Sequence, residues 1–418
     1  MARFQNIDED GDSASNEVLS GMKIGFLYNH EVPHQVAHTA PILKEMLLRY
    51  PHLDISVLSS TDEQKQLVEE HLGETLTEKT PFVDLKTGLA EKRLLRLVGS
   101  VAPSRRLAVL KENLDVLRKF DVLVVPESTS LLLKKQFGLD HLKFVLTHHG
   151  AGDRSVAQKK SIRDFDFVLV AGKKDERRHK QHGLIRDGFY AKVGYPKFDF
   201  VRHDGEGLKL FDNQNPTVVY NPHFDPHLSS WFKMGRDVLD VFLANPDLNL
   251  IFAPHIMLFK RRVHTSLDYK VVRWRSNLKK HYAKAPNIHI DLGSLRSVDM
   301  SYTRAADIYL GDVSSQIYEF LEKRRPVIFL NSHEADWEDN PYYSNWKMGP
   351  VVESTQGLAD LVRSSSQMHA QYLHSQQAAY NDTFEITEEK SCARAAIAIG
   401  EFVLKQQETE QLGLAAAE

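Results

Sequence analysis

Histidine, aspartate, serine and asparagine recur just past short apolar runs in this sequence. Asn29-His30 follows Lys23–Tyr28, and His148-His149-Gly150 follows Lys143–Thr147. Asn221-Pro222-His223-Phe224-Asp225 follows Thr217–Tyr220, and Pro254-His255 follows Leu248–Ala253. Gly311-Asp312-Val313-Ser314-Ser315 follows Asp307–Leu310. Each run reads as a parallel strand, and open parallel sheets bind ligands at the carboxyl ends of their strands. Five polar strand ends in two halves of the chain therefore point to one shared cleft. An imidazole ionises near neutrality and suits general-base work on a hydroxyl. His149, set before a glycine, is the candidate base, with His148 pointing elsewhere. His255 is placed to hold a phosphate oxygen. For each histidine the plainer alternative is a ring satisfied by surface or core contacts.

The most informative local unit runs from Ala306 to Leu330 and reads as strand, tight turn, helix, strand. Asp312 or Ser314 can cap the helix, whose free N–H groups and positive end suit a phosphate. Glu319 lies four residues beyond Ser315, one turn deeper on the same face, within reach of a ribose hydroxyl. An Asp-x-Ser-Ser turn is also a common plain cap, and the pattern alone leaves both readings open. His30-Glu31-Val32-Pro33-His34 has the form of a zinc-protease motif. That motif needs an unbroken helix, and Pro33 removes a backbone donor and clashes with the preceding turn. His34 and His38, four residues apart, can face one another. With His30 they form the expected acceptor side of the cleft.

The elements that must position these residues follow from the wider pattern. A chain of 418 residues exceeds one ordinary core, so two domains are expected. Short apolar runs alternate with amphipathic segments, the rhythm of doubly wound parallel α/β sheets. In the first half, further strands are expected at Leu53–Leu58, Asp121–Pro126 and Phe165–Val170. Helices are expected at Pro41–Tyr50 and Leu131–Phe137. The second half adds strands at Asn287–Ile290 and Pro326–Leu330. The polar, turn-rich stretch 203–216 marks the domain boundary. The division reads as a disordered start (1–20), an acceptor domain (21–205), a nucleotide-donor domain (206–400) and a loose tail (401–418).

Composition narrows the class. With 42% hydrophobic and 26% charged residues the chain is globular, and a net charge of −3 does not describe a general polyanion binder. The single cysteine, Cys392, excludes an internal disulfide and a cysteine metal cluster, and fits a reducing compartment. Met1–Ser20 lacks an apolar signal core, and no run reaches the ~18–20 apolar residues of a membrane span. A cytoplasmic protein is expected, with a peripheral place on the inner face of the membrane as the further option. No phosphate loop or dinucleotide fingerprint occurs, and no motif calls for a cofactor, a metal or nucleic acid. Lys260-Arg261-Arg262 and the run from Lys270 to Lys280, with Trp274 inside it, read most plainly as a solvated helix face. The other reading is a patch for anionic lipid. Arg93–Arg106 is a second candidate on the same terms.

In order and spacing, these motifs resemble the CDP-glycerol glycerophosphotransferase family, the teichoic-acid primases and polymerases of the GT-B fold. The likeness runs from about His148 to Leu330. His149-Gly150 is similar to the family's His-Gly element, and Gly194-Tyr195-Pro196-Lys197-Phe198-Asp199 to its Gly-Tyr-Pro-Arg-x-Asp. Asn221-Pro222-His223 stands where members carry a Tyr-x-Pro-Thr segment. Ala306 to Ser315, with Glu319, resembles the Ala-Asp…Thr-Asp-Tyr-Ser-Ser…Phe-Asp block. The sequence departs from the family after Gly150, where it reads Ala-Gly-Asp-Arg-Ser, and at Gly311, where members have threonine.

The resemblance implies two Rossmann-like domains with parallel sheets facing a cleft. It implies that His149 takes a proton from an acceptor hydroxyl, whose oxygen attacks the glycerol-bearing phosphorus of CDP-glycerol and releases CMP. His255 and the Ser314/Ser315 helix end would stabilise the diphosphate, and Asp312 would fix the loop or the His255 tautomer. Glu319 would hold the ribose, with Asn221, His223 and Gly194 also on the donor side. The implied acceptor is a lipid or glycan in cell-surface polymer or glycolipid assembly. A glycosyltransferase using a nucleotide sugar and a sugar-nucleotide 2-epimerase share the fold and remain alternatives. A non-catalytic scaffold fits less well, because His149, His255 and Asp312 occur together.

Overall fold

The computed structural model describes residues 21–30, 35–86, 104–147, 150, 152–153, 160–200, 208–266 and 269–415. Its first sheet contains β1 (Lys23–Tyr28), β2 (Asp54–Ser59), β3 (Phe82–Asp84), β4 (Val122–Val125), β5 (Lys143–Leu146), β6 (Phe167–Val170) and β7 (Tyr190–Lys192). All neighbours are parallel, in the order β3-β2-β1-β4-β5-β6-β7. The second sheet contains β8 (Thr217–Asn221), β9 (Asn249–Phe252), β12 (Ile288–Ile290), β13 (Ile308–Gly311), β14 (Val327–Leu330) and β15 (Val351–Val352). It is also parallel, in the order β12-β9-β8-β13-β14-β15. Between β9 and β12 lies a separate antiparallel hairpin, β10 (Val263–Ser266) and β11 (Val271–Trp274).

Each sheet is buried on both faces, which is why its strands read as unbroken apolar runs. In β4, Val122 and Val124 enter one core and Leu123 and Val125 the other. In β13, Tyr309 packs on one side and Ile308 and Leu310 on the other. The chain order of both sheets reverses once, between β1 and β4 and between β8 and β13. Such reversals leave a crevice beyond the strands' carboxyl ends. The doubly wound α/β architecture expected from the sequence is the one found.

Two boundaries differ from expectation. Helix α1 runs Val36–Arg49 and so begins five residues before Pro41. Val36 to Ala40 are all buried, and that burial outweighs the backbone donor lost at Pro41. The C-terminal segment is not loose. After α2 (Leu358–Met368) and α3 (Leu373–Thr383), helix α4 spans Ser391–Ala415. It crosses back onto the first sheet, where Ala395, Ala396, Ile399, Phe402 and Val403 join the core built around α1. Phe402 stacks on Phe167 with ring centroids 5.0 Å apart. The positions 395/396, 399 and 402/403 recur at helical spacing, which is the pattern of a buried face. The first half of the fold is therefore completed by the last helix of the chain.

That packing sets an expected cost. Ile399 is fully buried, so Ile399→Ala should destabilise the protein by about 2–5 kcal/mol. Urea unfolding measures it, and a loss below about 1 kcal/mol would show that α4 is only loosely attached.

Candidate functional site

The second switch point is held together by side chains of the two strand ends that flank it. Asn221, at the end of β8, donates through Nδ2 to the carbonyl of Ala253 beyond β9 (2.6 Å). Its Oδ1 accepts from Ser314 Oγ in the loop after β13 (3.1 Å). Asp312 is wholly buried in the same loop. Its carboxylate accepts from the backbone N–H of His223 (3.1 Å), and from the N–H (2.7 Å) and hydroxyl (2.9 Å) of Ser230. Ser230 immediately precedes helix α5 (Trp231–Ala244), so Asp312 places negative charge at that helix's free N–H groups. So enclosed, the Asp312 carboxylate ties the loop bearing His223 and the start of α5 to the end of β13. Ser315 stands at the N-cap of the following helix α6 (Gln316–Phe320) without a side-chain cap bond, and Ser314 Oγ, one residue earlier, accepts from Gln316 N at 3.3 Å. With five residues, α6 has little dipole to offer a phosphate.

Two histidines follow the ends of β8 and β9. His223 Nδ1 accepts the N–H of Asp225 (3.0 Å), and His255 Nδ1 accepts the N–H of Met257 (3.2 Å). A nitrogen that accepts carries no proton, so each neutral ring is protonated at Nε2. The backbone fixes both tautomers. The His255 N–H also bonds the Pro222 carbonyl (3.0 Å), joining the two strand ends. The two rings lie 5.3 Å apart, with Phe224 packed at 4.5 Å from His223 and 4.6 Å from His255. The arrangement sets two imidazoles side by side past the ends of β8 and β9.

The opposite wall comes from the first half. Gly150, past the end of β5, has φ +82°, and a side chain there would meet Ser315 Oγ at 3.4 Å. Gly152 approaches Ser315 equally closely, at 3.5 Å from its Cβ. The loops following β5 and β13 thus touch. His149 precedes Gly150 in sequence; His148, His149 and His34 lie outside the described residues.

Close to this contact the halves are clamped by buried charge. Lys197 Nζ donates to both oxygens of Glu319 (2.7 and 2.8 Å), and the Tyr195 hydroxyl adds a third bond (2.9 Å). Lys197 and Glu319 are each only 5% exposed. Asp153 accepts from Lys174 (3.1 Å), Arg178 (3.3 Å) and the Tyr318 hydroxyl, and Lys174 Nζ sits 3.7 Å from the Tyr318 ring centre. Burial, then the nearby Glu319, holds the Tyr195 phenol well above its ordinary pKa; burial and Asp153 do the same to Tyr318. Burial pulls the Lys174 ammonium down, opposed by Asp153. Glu319 is therefore committed to Lys197 and Tyr195 and is not the free ribose ligand expected. Gly194 is likewise turned to another use. With φ +82°, it sits where a side chain would strike Ser391 Oγ at 2.4 Å and the Glu385 carbonyl at 2.7 Å. Asp199 accepts the N–H of Cys392 (2.8 Å) at the start of α4. The Gly194–Asp199 segment thus joins the first half to α6 and α4.

Of the acceptor-side histidines, His38 is buried in α1 and meets Tyr195 edge-on, ring centres 5.2 Å apart. It packs against the clamp. His30 is half-buried at the end of β1, where its carbonyl accepts from Gln64. The first switch point adds Glu127, which was not singled out in the sequence. Glu127 accepts from Arg106 (3.2 Å) and from the N–H groups of Thr129 (2.6 Å) and Ser130 (3.2 Å), while Asn29 bonds the Arg106 carbonyl (3.0 Å).

No protein-family profile and no curated protein sequence matches the chain. Solved structures do. The wall teichoic acid polymerase TagF superposes with a TM-score of 0.61 at 13% identity, covering 94% of this chain and 91% of that one. A TagF variant soaked with CDPG gives 0.59 at 15% identity, with 95% and 91% covered. The UDP-GlcNAc 2-epimerase of Neisseria meningitidis, bound to UDP-GlcNAc, gives 0.56 at 14% identity, with 92% and 100% covered. At these identities the likeness establishes the fold, a GT-B-like pair of Rossmann domains.

The clamp generates a direct expectation. Lys197→Met should destabilise by about 3–5 kcal/mol, because it strands the buried Glu319 carboxylate. Adding Glu319→Leu should recover most of that loss in denaturant unfolding. If Lys197→Met costs under about 1 kcal/mol, the pair does not join the halves.

Proposed function

We propose that this protein transfers glycerol phosphate, or a related alditol phosphate, from a CDP-activated donor to a hydroxyl of a lipid or glycan acceptor. The observation that carries the reading is the His223–His255 pair past the ends of β8 and β9, in the half whose Ser315 meets Gly150 of the other. A diphosphate needs charge-stabilising donors held in place before the reaction, and two imidazoles with backbone-fixed tautomers meet that need. The neighbouring His149-Gly150 element supplies the base by its resemblance to the glycerophosphotransferase family.

In this scheme His149 takes the proton of the acceptor hydroxyl. The acceptor oxygen bonds to the alditol-bearing phosphorus as the bond to the bridging diphosphate oxygen breaks. CMP carries away that bond's electron pair, and the Nε2–H groups of His223 and His255 stabilise the charge. Phosphoryl transfer asks mainly for alignment and charge stabilisation, so no resident metal or cofactor enters the scheme. Asp312 and Asn221 hold the donor loops, with Ser314 and Ser315 lining the donor side. His30 and the Arg106–Glu127 group stand at the acceptor's switch point. The product would serve a cell-surface polymer or glycolipid, made on the cytoplasmic face of the membrane. A second reading, a sugar-nucleotide 2-epimerase, is favoured by the full-length overlap with the meningococcal enzyme, and it requires no acceptor.

Nucleotide release separates these readings. The purified protein would be offered CDP-glycerol, CDP-ribitol and UDP-, GDP- and CMP-sugars, with and without membrane extract. The expected result is CMP from a CDP-alditol only, dependent on extract. Release from a nucleotide sugar, or its epimerisation without acceptor, contradicts the proposal. His149→Ala should lower turnover by about 10²–10⁴, and His255→Ala by about 10²–10³, with the fold intact by circular dichroism. A loss below tenfold removes the residue from its role.

A further inference from the structure

The basic run read in the sequence as a helix face is a β-hairpin. Val263, Thr265, Val271 and Val272 are β-branched, and such residues favour the extended pairing found in β10 and β11. The register sets Val263 opposite Trp274 and Thr265 opposite Val272, so these four side chains share one face. The other face is anchored to the domain. His264 bonds the Leu258 carbonyl (3.0 Å), and Ser266 Oγ donates to Asp225 (3.1 Å).

The outer face inverts the usual pattern. A ribbon lying on a domain ordinarily turns polar side chains to water. Here Trp274 is 76% exposed, Val272 53% and Val263 37%. Charge surrounds them: residues 260–284 carry nine lysines and arginines and one acid, in a chain of net charge −3. Lys260, Arg262, Lys270 and Arg273 are exposed and form no ion pair among the described residues. Among those residues no helix is long and apolar enough to cross a membrane.

We propose that the outer face of the β10–β11 hairpin docks on an anionic phospholipid surface. Tryptophan sits well at the boundary of headgroups and acyl chains, the valines add apolar area, and the flanking cations answer lipid phosphates. An acidic protein surface would match the cations alone. A lipid surface matches both the cations and the apolar strip. The hairpin is also tied to the site: Ser266 holds Asp225, two residues past His223, and Tyr269 stacks on His227 at 3.6 Å. Docking would therefore hold the second switch point at the lipid surface, and it stands whether or not the transfer reaction above is correct.

Vesicle co-sedimentation of the full chain tests this. Binding is expected to phosphatidylcholine vesicles containing phosphatidylglycerol, released by high salt, and not to phosphatidylcholine alone. Trp274→Ser should weaken binding about tenfold, and the double change Arg262→Glu with Arg273→Glu by tenfold or more. Both variants should keep the parent's circular dichroism and melting temperature, since Trp274, Arg262 and Arg273 are all exposed side chains. Failure of the parent to pellet with anionic vesicles overturns the proposal, as does equal binding by the variants. Trp274-dependent self-association in light scattering, without vesicle binding, would identify a protein interface and overturn it too.

Discussion

The buried ion pair between Lys197 and Glu319 decides where the two halves of this molecule stand. A charge taken out of water is tolerated only with a partner at hand. Here the partners come from different sheets, so separating the halves would leave a carboxylate and an ammonium uncompensated. The Asp153 cluster repeats the device alongside it, with Lys174 and Arg178 on one side and Tyr318 on the other. Tyr318 and Glu319 are neighbours on one short helix, and Ser315, which meets Gly150, begins it. The clamp and the cleft contact therefore share a rigid element. Helix α4 adds a return path by packing Ala395, Ala396, Ile399, Phe402 and Val403 into the core built around α1.

Within the second half, Asp312 plays the corresponding part on a smaller scale. Its bonds draw the β8 loop and the start of α5 toward the end of β13. That loop contains His223, whose Nδ1 accepts the backbone of Asp225. The charge buried at Asp312 and the proton carried at His223 Nε2 are thus linked through a single stretch of backbone. Preorganisation of this kind is what a phosphoryl-transfer site requires, because donors already in place need no reorganisation as charge develops.

The strands were legible in the sequence because parallel sheets bury both faces and leave apolar runs with polar ends. Ten of them fall within a residue or two of their expected bounds. The short edge strands β3, β7 and β15 have no fully buried residue and so lack an apolar run. The polar strand ends also converge as expected at β8, β9 and β13. Roles within that group were harder to read. Glu319 has a ribose ligand's position relative to Ser315, yet its true partner is 122 residues away in sequence and leaves no local trace. Gly194–Asp199 was conspicuous as a motif, but only packing shows that it serves α6 and α4. The end of the C-terminal helix resembled a tail because, among its described side chains, only Gln407 is buried beyond Val403. The hairpin resembled a helix because charge, spread over both strands, masks its β-branched positions.

The central claim is that a cytidine diphosphate group occupies the second switch point. A crystal soaked with CDP-glycerol tests it most directly. The account predicts diphosphate density at the carboxyl ends of β8 and β13, within hydrogen-bonding distance of His255 Nε2. Nucleotide density beyond β1 and β4, beside Arg106 and Glu127, would contradict it.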